Sequence, residues 1–210
     1  MNLKALTRLS ELGVATVYEA SGREGLIDAP LIQLLPNSRV AGPARTALCG
    51  QDDNLMVHAV IELIQPGEVL VLSMPEPTPV ALIGELLATQ VKVKLAAGIL
   101  VDAAVRDVNE LIELGIPIWT RFIRVRGTTK TKIGELNTSV MVGGTNITTG
   151  DIVILDADGG VRVRRDRADE VLRTSEERLA KEASLRKKLL AGEISYDLHG
   201  LRAYVERGGK

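Results

Sequence analysis

The sequence predicts an α/β fold that is built around a parallel β-sheet. Between residues 69 and 119, short apolar runs alternate with helical patterns, and this alternation is typical of parallel sheets. We predict strands at residues 69–72, 98–101 and 116–119 and helices at residues 84–95 and 108–114. After residue 122, short segments separated by glycine-containing turns predict a small β-meander, and residues 166–190 have the pattern of the longest helix, which Gly192 ends.

The chain before this core predicts further helices and a β-like region. The predicted elements are short helices at residues 2–22 with an apolar stripe of Leu3, Leu6, Leu9 and Leu12, β-like stretches at 31–35 and 39–49, and a helix at 53–64. Pro43 lacks a backbone N–H, so we predict an edge strand or a bulge around it. The proline-rich residues 73–82 cannot be helical throughout and predict an ordered loop over the site.

Composition limits the classes of function. The 210 residues, with no repeat or linker, predict a single domain over residues 1–210 with helical arms. Aromatic residues make up only 2% and the net charge is −1, so neither base stacking nor electrostatics favours nucleic acid or an acidic membrane as a partner. Cys49, the one cysteine, is predicted to be a buried hydrophobe. No apolar run reaches the about 18 residues of a membrane span, and we expect a cytoplasmic location.

The predicted strand at residues 98–101 ends in polar groups. Asp102, Arg106 and Asp107 follow it, and ligands tend to bind at the carboxyl ends of strands in open α/β sheets. Asp107 and Glu110 have the spacing of a capping box, so on spacing alone Asp107 reads as the N-cap of the next helix. The neighbouring Arg106 favours a second interpretation, in which Arg106 binds a carboxylate and Asp107 holds a hard cation such as Mg²⁺.

A second candidate corner lies one helix upstream, in the sequence GELLAT. Gly84 precedes a helix start, which leaves the backbone N–H groups of Leu86 and Leu87 free to face an anion. Glu85 taken alone is an acid in the first turn of a helix, where the helix dipole favours it.

Other polar motifs favour structural interpretations. Residues 156–160, DADGG, resemble the start of a calcium loop but depart from it at Val161 and Arg167, so we predict a hairpin turn. His58 is interpreted as a packed or hydrogen-bonded core residue. Lys92 and Lys94 lie in the second half of a helix and are interpreted as solvated charges.

These motifs occur together in one order along nearly the whole chain. The stretches LGVATVYEASGREGLI, AGPARTALC, DDNLMVHAVIELIQPGEVLV, GELLAT, GILVDAAVRD and VGGTNITTGDIVILDADGGVRV resemble the metal-dependent pyruvate aldolases that act on 4-hydroxy-4-methyl-2-oxoglutarate and 4-carboxy-4-hydroxy-2-oxoadipate. The same family contains the regulator of ribonuclease activity A. The most specific part of the resemblance is an acid followed, after twenty residues, by Arg-Asp: Glu85 and Arg106-Asp107.

The resemblance implies a three-layer β/β/α fold of the swivelling type, assembled as a homotrimer or hexamer with active sites between subunits. Arg106 would bind the pyruvyl carboxylate and keto oxygen, and Asp107 would be the protein ligand of Mg²⁺ or Mn²⁺. Residues Gly84, Leu86 and Leu87 would bind the substrate carboxylate through the backbone. Glu85 would orient metal-bound water, although the aldolases usually have Asp there. Glu182 would reach the site of a neighbouring subunit.

Two functions from different classes follow from this comparison. The first is a divalent-metal-dependent lyase that cleaves 4-hydroxy-2-oxo acids through a pyruvate enolate and also decarboxylates oxaloacetate, since both reactions form the same enolate. The second is a non-catalytic ring-shaped regulator that binds ribonuclease E or another protein. A methyltransferase is disfavoured because no glycine-rich nucleotide loop follows the early strands.

Overall fold

The computed structural model describes residues 1–208, which form eight α-helices and eleven strands. The helices are Leu3–Leu12 (α1), Val14–Ala20 (α2), Leu55–Leu63 (α3), Glu85–Val93 (α4), Val108–Leu114 (α5), Ala168–Leu190 (α6), Ser195–Leu198 (α7) and Leu201–Glu206 (α8). The strands are Ile32–Gln33 (β1), Val40–Leu48 (β2), Val69–Ser73 (β3), Ala81–Ile83 (β4), Gly98–Val105 (β5), Ile118–Ile123 (β6), Glu135–Leu136 (β7), Val140–Val142 (β8), Thr145–Ile147 (β9), Ile152–Asp156 (β10) and Gly159–Val163 (β11). Residues 209–210 of the C-terminal tail lie outside the described part.

Nine of these strands form one mixed sheet. Its main path runs β1-β6-β5-β3-β2-β10-β11, while β4 pairs with β5 and β7 pairs with β2. The pairs β2-β3, β3-β5, β4-β5 and β5-β6 are parallel, which confirms the parallel core predicted from the sequence. The strands β10 and β11 form the predicted hairpin at residues 156–160, and β8 and β9 form a separate hairpin.

Successive side chains of the central strands point to opposite faces of the sheet, and this divides the core into layers. In β3, Leu70 and Leu72 pack toward the side of α3, α4 and α5, whereas Val69 and Val71 pack toward the hairpin β8-β9. Both faces of the strand are therefore buried, as is usual for a parallel strand. The result is a helical layer, a central sheet and a second β layer, which confirms the predicted α/β class with three layers.

A third group of apolar residues joins the two N-terminal helices to the long helix α6. Leu6, Leu9 and Leu12 of α1 and Val17 of α2 pack with β10, β11 and the first turns of α6. The predicted apolar stripe of α1 is therefore correct except for Leu3, which is 75% exposed. The long helix begins at Ala168, because residues 165–167 form a 3-10 turn before it.

Several boundaries differ from the sequence prediction. The strand predicted to end at residue 101 continues to Val105, because the carboxylate of Asp102 is buried and is paired with Arg121 on β6, Nε to Oδ1, at 2.6 Å. Burial raises the pKa of Asp102, and the Arg121 guanidinium opposes that rise. Asp102 is thus a structural residue of the sheet and does not belong to the polar corner.

The prediction of an edge strand at Pro43 is wrong. Its strand, β2, lies inside the sheet, and Pro43 stands where the pairing of β2 changes from β10 to β3. The proline therefore sits at a break between two ladders, where its missing N–H removes no central hydrogen bond.

Among the described residues, no helix combines the length and the apolar character needed to cross a membrane.

Candidate active site

A cavity of about 290 Å³ lies where β4 and β5 end and α4 and α5 begin. Because the two strands are parallel neighbours, their carboxyl ends open at the same edge of the sheet. The cavity is lined by Asn54, His58, Ala81, Leu82, Gly84, Leu86, Leu87, Gln90, Arg106, Asp107, Gly127, Thr128 and Lys130. Five of the residues that the sequence nominated are therefore brought together: Gly84, Leu86, Leu87, Arg106 and Asp107.

Asp107 has a strained backbone and an unexpected hydrogen-bond partner. It has φ 60° and ψ 45°, the left-handed conformation that few non-glycine residues adopt. Its side chain forms no capping hydrogen bond with α5; instead Oδ2 accepts one from the backbone N–H of Glu85 at 3.2 Å. Asp107 does occupy the N-cap position of α5, as its spacing to Glu110 predicts, but the predicted capping hydrogen bond is absent because the carboxylate points toward the start of α4.

Arg106 adjoins this carboxylate. Its Nε lies 3.6 Å from Oδ2 of Asp107, and both side chains are more than 40% exposed. The backbone N–H of Arg106 donates to the carbonyl of Ile83, the last residue of β4. A guanidinium and a carboxylate are thus held side by side at a surface that a ligand can reach.

Gly84 is required by the close approach of the two corners. A Cβ at position 84 would lie 2.4 Å from Oδ2 of Asp107 and 3.2 Å from Cγ of Arg106. Gly84, the N-cap residue of α4, has no side chain to cap the helix, Asp107 accepts only the N–H of Glu85, and the first helical hydrogen bond runs from Ala88 to the carbonyl of Gly84. The N–H groups of Leu86 and Leu87 precede that bond and lie in the helix turn where anions are favoured.

Glu85 is the first residue of α4 and lies between Gly84 and Leu86, which line the cavity. Its backbone N–H contacts Asp107, and its carboxylate accepts a hydrogen bond from Thr89 Oγ1 at 2.8 Å. The side chain is directed along its own helix, as expected of an acid in a first turn.

One wall of the cavity escaped the sequence analysis. Gly127, Thr128 and Lys130 belong to residues 124–134, an irregular segment after β6. Gly127 packs beside Arg106, because a Cβ there would lie 3.3 Å from Nη1. The signal available in the sequence was a glycine, threonine and lysine-rich stretch, which reads only as a turn until its position beside β4 is known.

A second side of the cavity is formed by α3. Asn54 and His58 are four residues apart, so they lie on the same face of the helix start, and both line the cavity. His58 is exposed, so the interpretation of it as a packed core residue is wrong. The predicted loop at residues 73–82 is only partly a loop, since β3 extends to Ser73 and β4 begins at Ala81. Its residues 74–80 do not line the cavity.

The other nominated polar residues lie elsewhere. Glu182, on α6, does not line the cavity and pairs with Arg178 on its own helix, with Oε1 2.9 Å from Nε. Lys92 and Lys94 donate to backbone carbonyls of Leu114 and Glu62, outside the cavity. Cys49 is buried as predicted, and burial raises the pKa of its thiol to about 12.

Within residues 1–208, no three His, Cys, Asp or Glu side chains form a group that could hold a metal ion. A hard cation does not need such a group, because Mg²⁺ keeps several waters and is commonly held by one or two carboxylates together with its substrate. The carboxylate of Asp107 fits that requirement, since it is exposed, belongs to the cavity lining and forms no capping hydrogen bond with α5.

The sequence of this chain matches a family model and a related protein, and its fold resembles solved structures. The RraA-like family, described as Aldolase/RraA, matches residues 14–162. A Halalkalibacterium halodurans protein, provisionally named a 4-hydroxy-4-methyl-2-oxoglutarate aldolase, is 30% identical over 171 residues, 81% of this chain and 79% of that protein. The Streptomyces coelicolor structure RraAS2, an unusual member of the RNase ES inhibitor RraA protein family, has a TM-score of 0.76 and 27% identity over 89% of this chain and 97% of that one.

A further solved structure agrees. The RNA-processing inhibitor RraA from Thermus thermophilus has a TM-score of 0.59 and 28% identity over 66% of this chain and 82% of that one. The matched region contains the whole cavity edge, from Asn54 to Lys130. The chain therefore belongs to the RraA-like family of aldolases and RraA proteins.

Proposed function

We propose that the protein is a divalent-metal-dependent lyase that releases pyruvate from 4-hydroxy-2-oxo acids of the 4-hydroxy-4-methyl-2-oxoglutarate type. The observation that carries the proposal is the meeting of Arg106, Asp107 and the start of α4 in one small cavity. A regulator that only binds another protein has no physical need for a guanidinium, a helix N-terminus and a carboxylate on a left-handed backbone at one point.

Each group has a role in this proposal. Arg106 binds the carboxylate and keto oxygen of the substrate with two parallel donors, and the amides of Leu86 and Leu87 bind the carboxylate from the other corner. As the carbon–carbon bond breaks, negative charge develops on the keto oxygen, and the Arg106 guanidinium stabilises it in place. The same groups serve oxaloacetate decarboxylation, because loss of CO₂ leaves the same enolate.

Asp107 is the proposed ligand of Mg²⁺ or Mn²⁺. The ion supplies Lewis-acid stabilisation of the developing enolate charge. The αL backbone of Asp107 serves this role, because it turns the carboxylate away from α5 and toward the cavity edge. Glu85 and a partner subunit's copy of Glu182 are proposed to orient the water that carries the proton.

Lys130 and His58 add polar groups to the cavity beside the Arg106 corner. The ammonium group of Lys130, as a second cation beside Arg106, suits a substrate with more than one carboxylate. The relative that is provisionally named an aldolase carries the name of such a substrate. A homotrimer or hexamer with shared sites and a cytoplasmic location remain part of the proposal.

The proposal is tested by pyruvate release from 4-hydroxy-4-methyl-2-oxoglutarate, 4-carboxy-4-hydroxy-2-oxoadipate and oxaloacetate, with Mg²⁺ and with EDTA. Turnover should need the divalent ion. Borohydride added with substrate should leave the enzyme active, because the proposed route uses no Schiff base and Lys130, the lysine in the cavity lining, serves only as a cation. A borohydride-trapped adduct on a lysine would contradict the proposed chemistry.

The competing candidate is a regulator that binds ribonuclease E or another protein. The similar structures favour it, since one is a member of the RNase ES inhibitor RraA family and another is an RNA-processing inhibitor. Binding of ribonuclease E that persists in an Asp107→Ala variant, together with no pyruvate release by the wild type from any of the three substrates, would favour the regulator over the lyase.

A further inference from the structure

Asp53 is a completely buried carboxylate that the proposed chemistry does not use. It precedes α3, and its Oδ1 accepts the N–H of Leu55 at 2.8 Å. Its other oxygen, Oδ2, accepts hydrogen bonds from Thr129 Oγ1 at 2.6 Å and from the backbone N–H groups of Thr131 at 2.7 Å and Lys132 at 3.1 Å. One side chain therefore joins the start of a helix to a segment more than seventy residues away.

The residues that Asp53 holds belong to the cavity wall. We define the wall segment as residues 124–132. It is fixed at its beginning by β5 and β4, since Arg124 N donates to the Val105 carbonyl and Ala81 N donates to the Arg126 carbonyl. Between this anchor and the Asp53 anchor lie Gly127, Thr128 and Lys130, which line the cavity.

The wall segment has few other means of staying in place. Most of its side chains are exposed, and it forms no strand, so apolar burial contributes little to its order. The main chain adds two bonds to residues 52–54: Asn54 N donates to the Thr129 carbonyl, and Thr129 N donates to the Asp52 carbonyl. Thr129 and Thr131, the neighbours of Lys130 on both sides, are both bound to the Asp53 carboxylate, so the position of Lys130 depends on that group.

Electrostatics agrees with a permanently charged anchor. Burial alone would favour the neutral acid, but the hydrogen bonds from Thr129, Thr131, Leu55 and Lys132 outweigh it and hold the pKa of Asp53 well below the ordinary value. The carboxylate is therefore ionised under all physiological conditions, as an acceptor of four N–H and O–H donors should be.

We propose that Asp53 is a positioning residue whose carboxylate holds residues 127–130 against the cavity and thereby sets the affinity of the site for its 2-oxo acid ligand. The proposal deepens the lyase function and rests on it. Gly127 is the link to the chemistry, because it packs beside the Arg106 guanidinium. A wall that moves away removes the Gly127 contact from the already half-exposed Arg106 and removes Lys130 from the cavity.

The test compares Asp53→Asn with Asp52→Asn. The adjacent Asp52 is the matched control, because its side chain bonds with Gln51 and Thr78 and makes no hydrogen bond with the wall segment. In Asp53→Asn, one of the two acceptor oxygens becomes an NH₂ group, so the side chain can no longer accept from both the Leu55 N–H and the wall-segment donors. Thr129→Val, which removes one donor and keeps the carboxylate, provides a milder variant if Asp53→Asn does not fold.

Three readouts separate positioning from general destabilisation. Amide hydrogen exchange should accelerate about tenfold or more at Thr131 and Lys132 and stay unchanged in β3 and β5. Trypsin should cut faster after Arg126 and Lys130. The dissociation constant of pyruvate with Mg²⁺, measured by calorimetry, should rise about tenfold in Asp53→Asn, by less in Thr129→Val, and not in Asp52→Asn.

Exchange that accelerates equally throughout β3 and β5, or pyruvate binding by Asp53→Asn within about twofold of the wild type, would overturn the proposal. The lyase function fails in a different way: a wild type that binds pyruvate with Mg²⁺ but cleaves none of the three substrates would contradict the function and leave the role of Asp53 in binding supported.

Discussion

At the scale of single residues, the sequence nominated five residues that the fold brings together in one cavity, but it misread the geometry of Asp107. Asp107 and Glu110 have the local spacing of a capping box, which is a property of four consecutive residues. The structure instead gives Asp107 a left-handed backbone and an acceptor role toward Glu85, twenty-two residues earlier. Local spacing cannot report a contact between two strand ends, so this part of the site could not be predicted.

The close packing at Gly84 leads to the first prediction. Gly84→Ala should lower pyruvate release about 100-fold, because the new methyl group would displace the Asp107 carboxylate and the Arg106 side chain. The stability should change by less than about 1 kcal/mol, since φ at this residue is −133° and the displaced atoms are exposed. Gly127→Ala is the graded comparison, because its nearest contact is 3.3 Å, and it should have a smaller effect. Equal activity in Gly84→Ala and the wild type would show that this packing is not needed.

The planar guanidinium of Arg106 leads to the second prediction. Arg106→Lys should lower kcat/KM about 100-fold or more while Mg²⁺ binding stays, because an ammonium cannot match two oxygens of a carboxylate at once. Calorimetry with Mg²⁺ and steady-state kinetics measure the two effects separately. Comparable kinetics in the variant and the wild type would show that bidentate recognition is not used.

At the scale of elements, regular segments were predictable and the segments held by distant partners were not. The helix at residues 108–114 is confirmed at both ends, because Gly115 with φ 73° ends it in the way that glycine usually does. The strand β5 was cut short in the prediction because Asp102 looks like a strand end, and only its pairing with Arg121 keeps it inside the sheet. The wall segment was missed for the same reason, since the Asp53 carboxylate that binds it lies more than seventy residues earlier in the sequence.

The buried Asp53 leads to a prediction about stability and pH. Its pKa in the folded protein is below the unfolded value of about 3.9, so its contribution to stability is present above that pH and is lost as the pH falls toward the folded pKa. Asp53→Asn should therefore lower the free energy of unfolding by about 1–3 kcal/mol at pH 7. The difference from the wild type should shrink below about pH 4. Urea unfolding at several pH values measures it, and a difference that does not change with pH would contradict the assignment.

At the scale of the whole molecule, the alternation of strands and helices predicted the parallel core, and the family resemblance supplied the three layers. The strand order β1-β6-β5-β3-β2-β10-β11 was not predictable from one sequence, because pairing between distant strands leaves no local pattern. Glu182 shows the same limit. Within one chain it pairs with Arg178 on the surface of α6, and only a second subunit could bring it to the cavity.

Glu182 therefore leads to a prediction about assembly. Asp107→Ala and Glu182→Ala proteins, each inactive, should recover part of the activity when they are dissociated and reassembled together, because some sites then receive both intact groups from different chains. Arg178→Ala is the control for the helix surface, since it removes the Glu182 partner but keeps the carboxylate. Full activity of Glu182→Ala alone, or no recovery in verified mixed assemblies, would show that Glu182 is only a solvated charge on the surface of α6.

The central claim is that the Asp107 carboxylate serves the reaction and not its helix, and Asp107→Asn tests it most directly. Asparagine tolerates the left-handed backbone and can cap a helix, so a capping residue would survive this change with its activity. We predict that the free energy of unfolding of Asp107→Asn stays within about 1 kcal/mol of the wild type. The variant should nevertheless lose Mg²⁺-dependent pyruvate release from 4-hydroxy-4-methyl-2-oxoglutarate. Turnover like that of the wild type, with the same dependence on Mg²⁺, would contradict the assignment of this site.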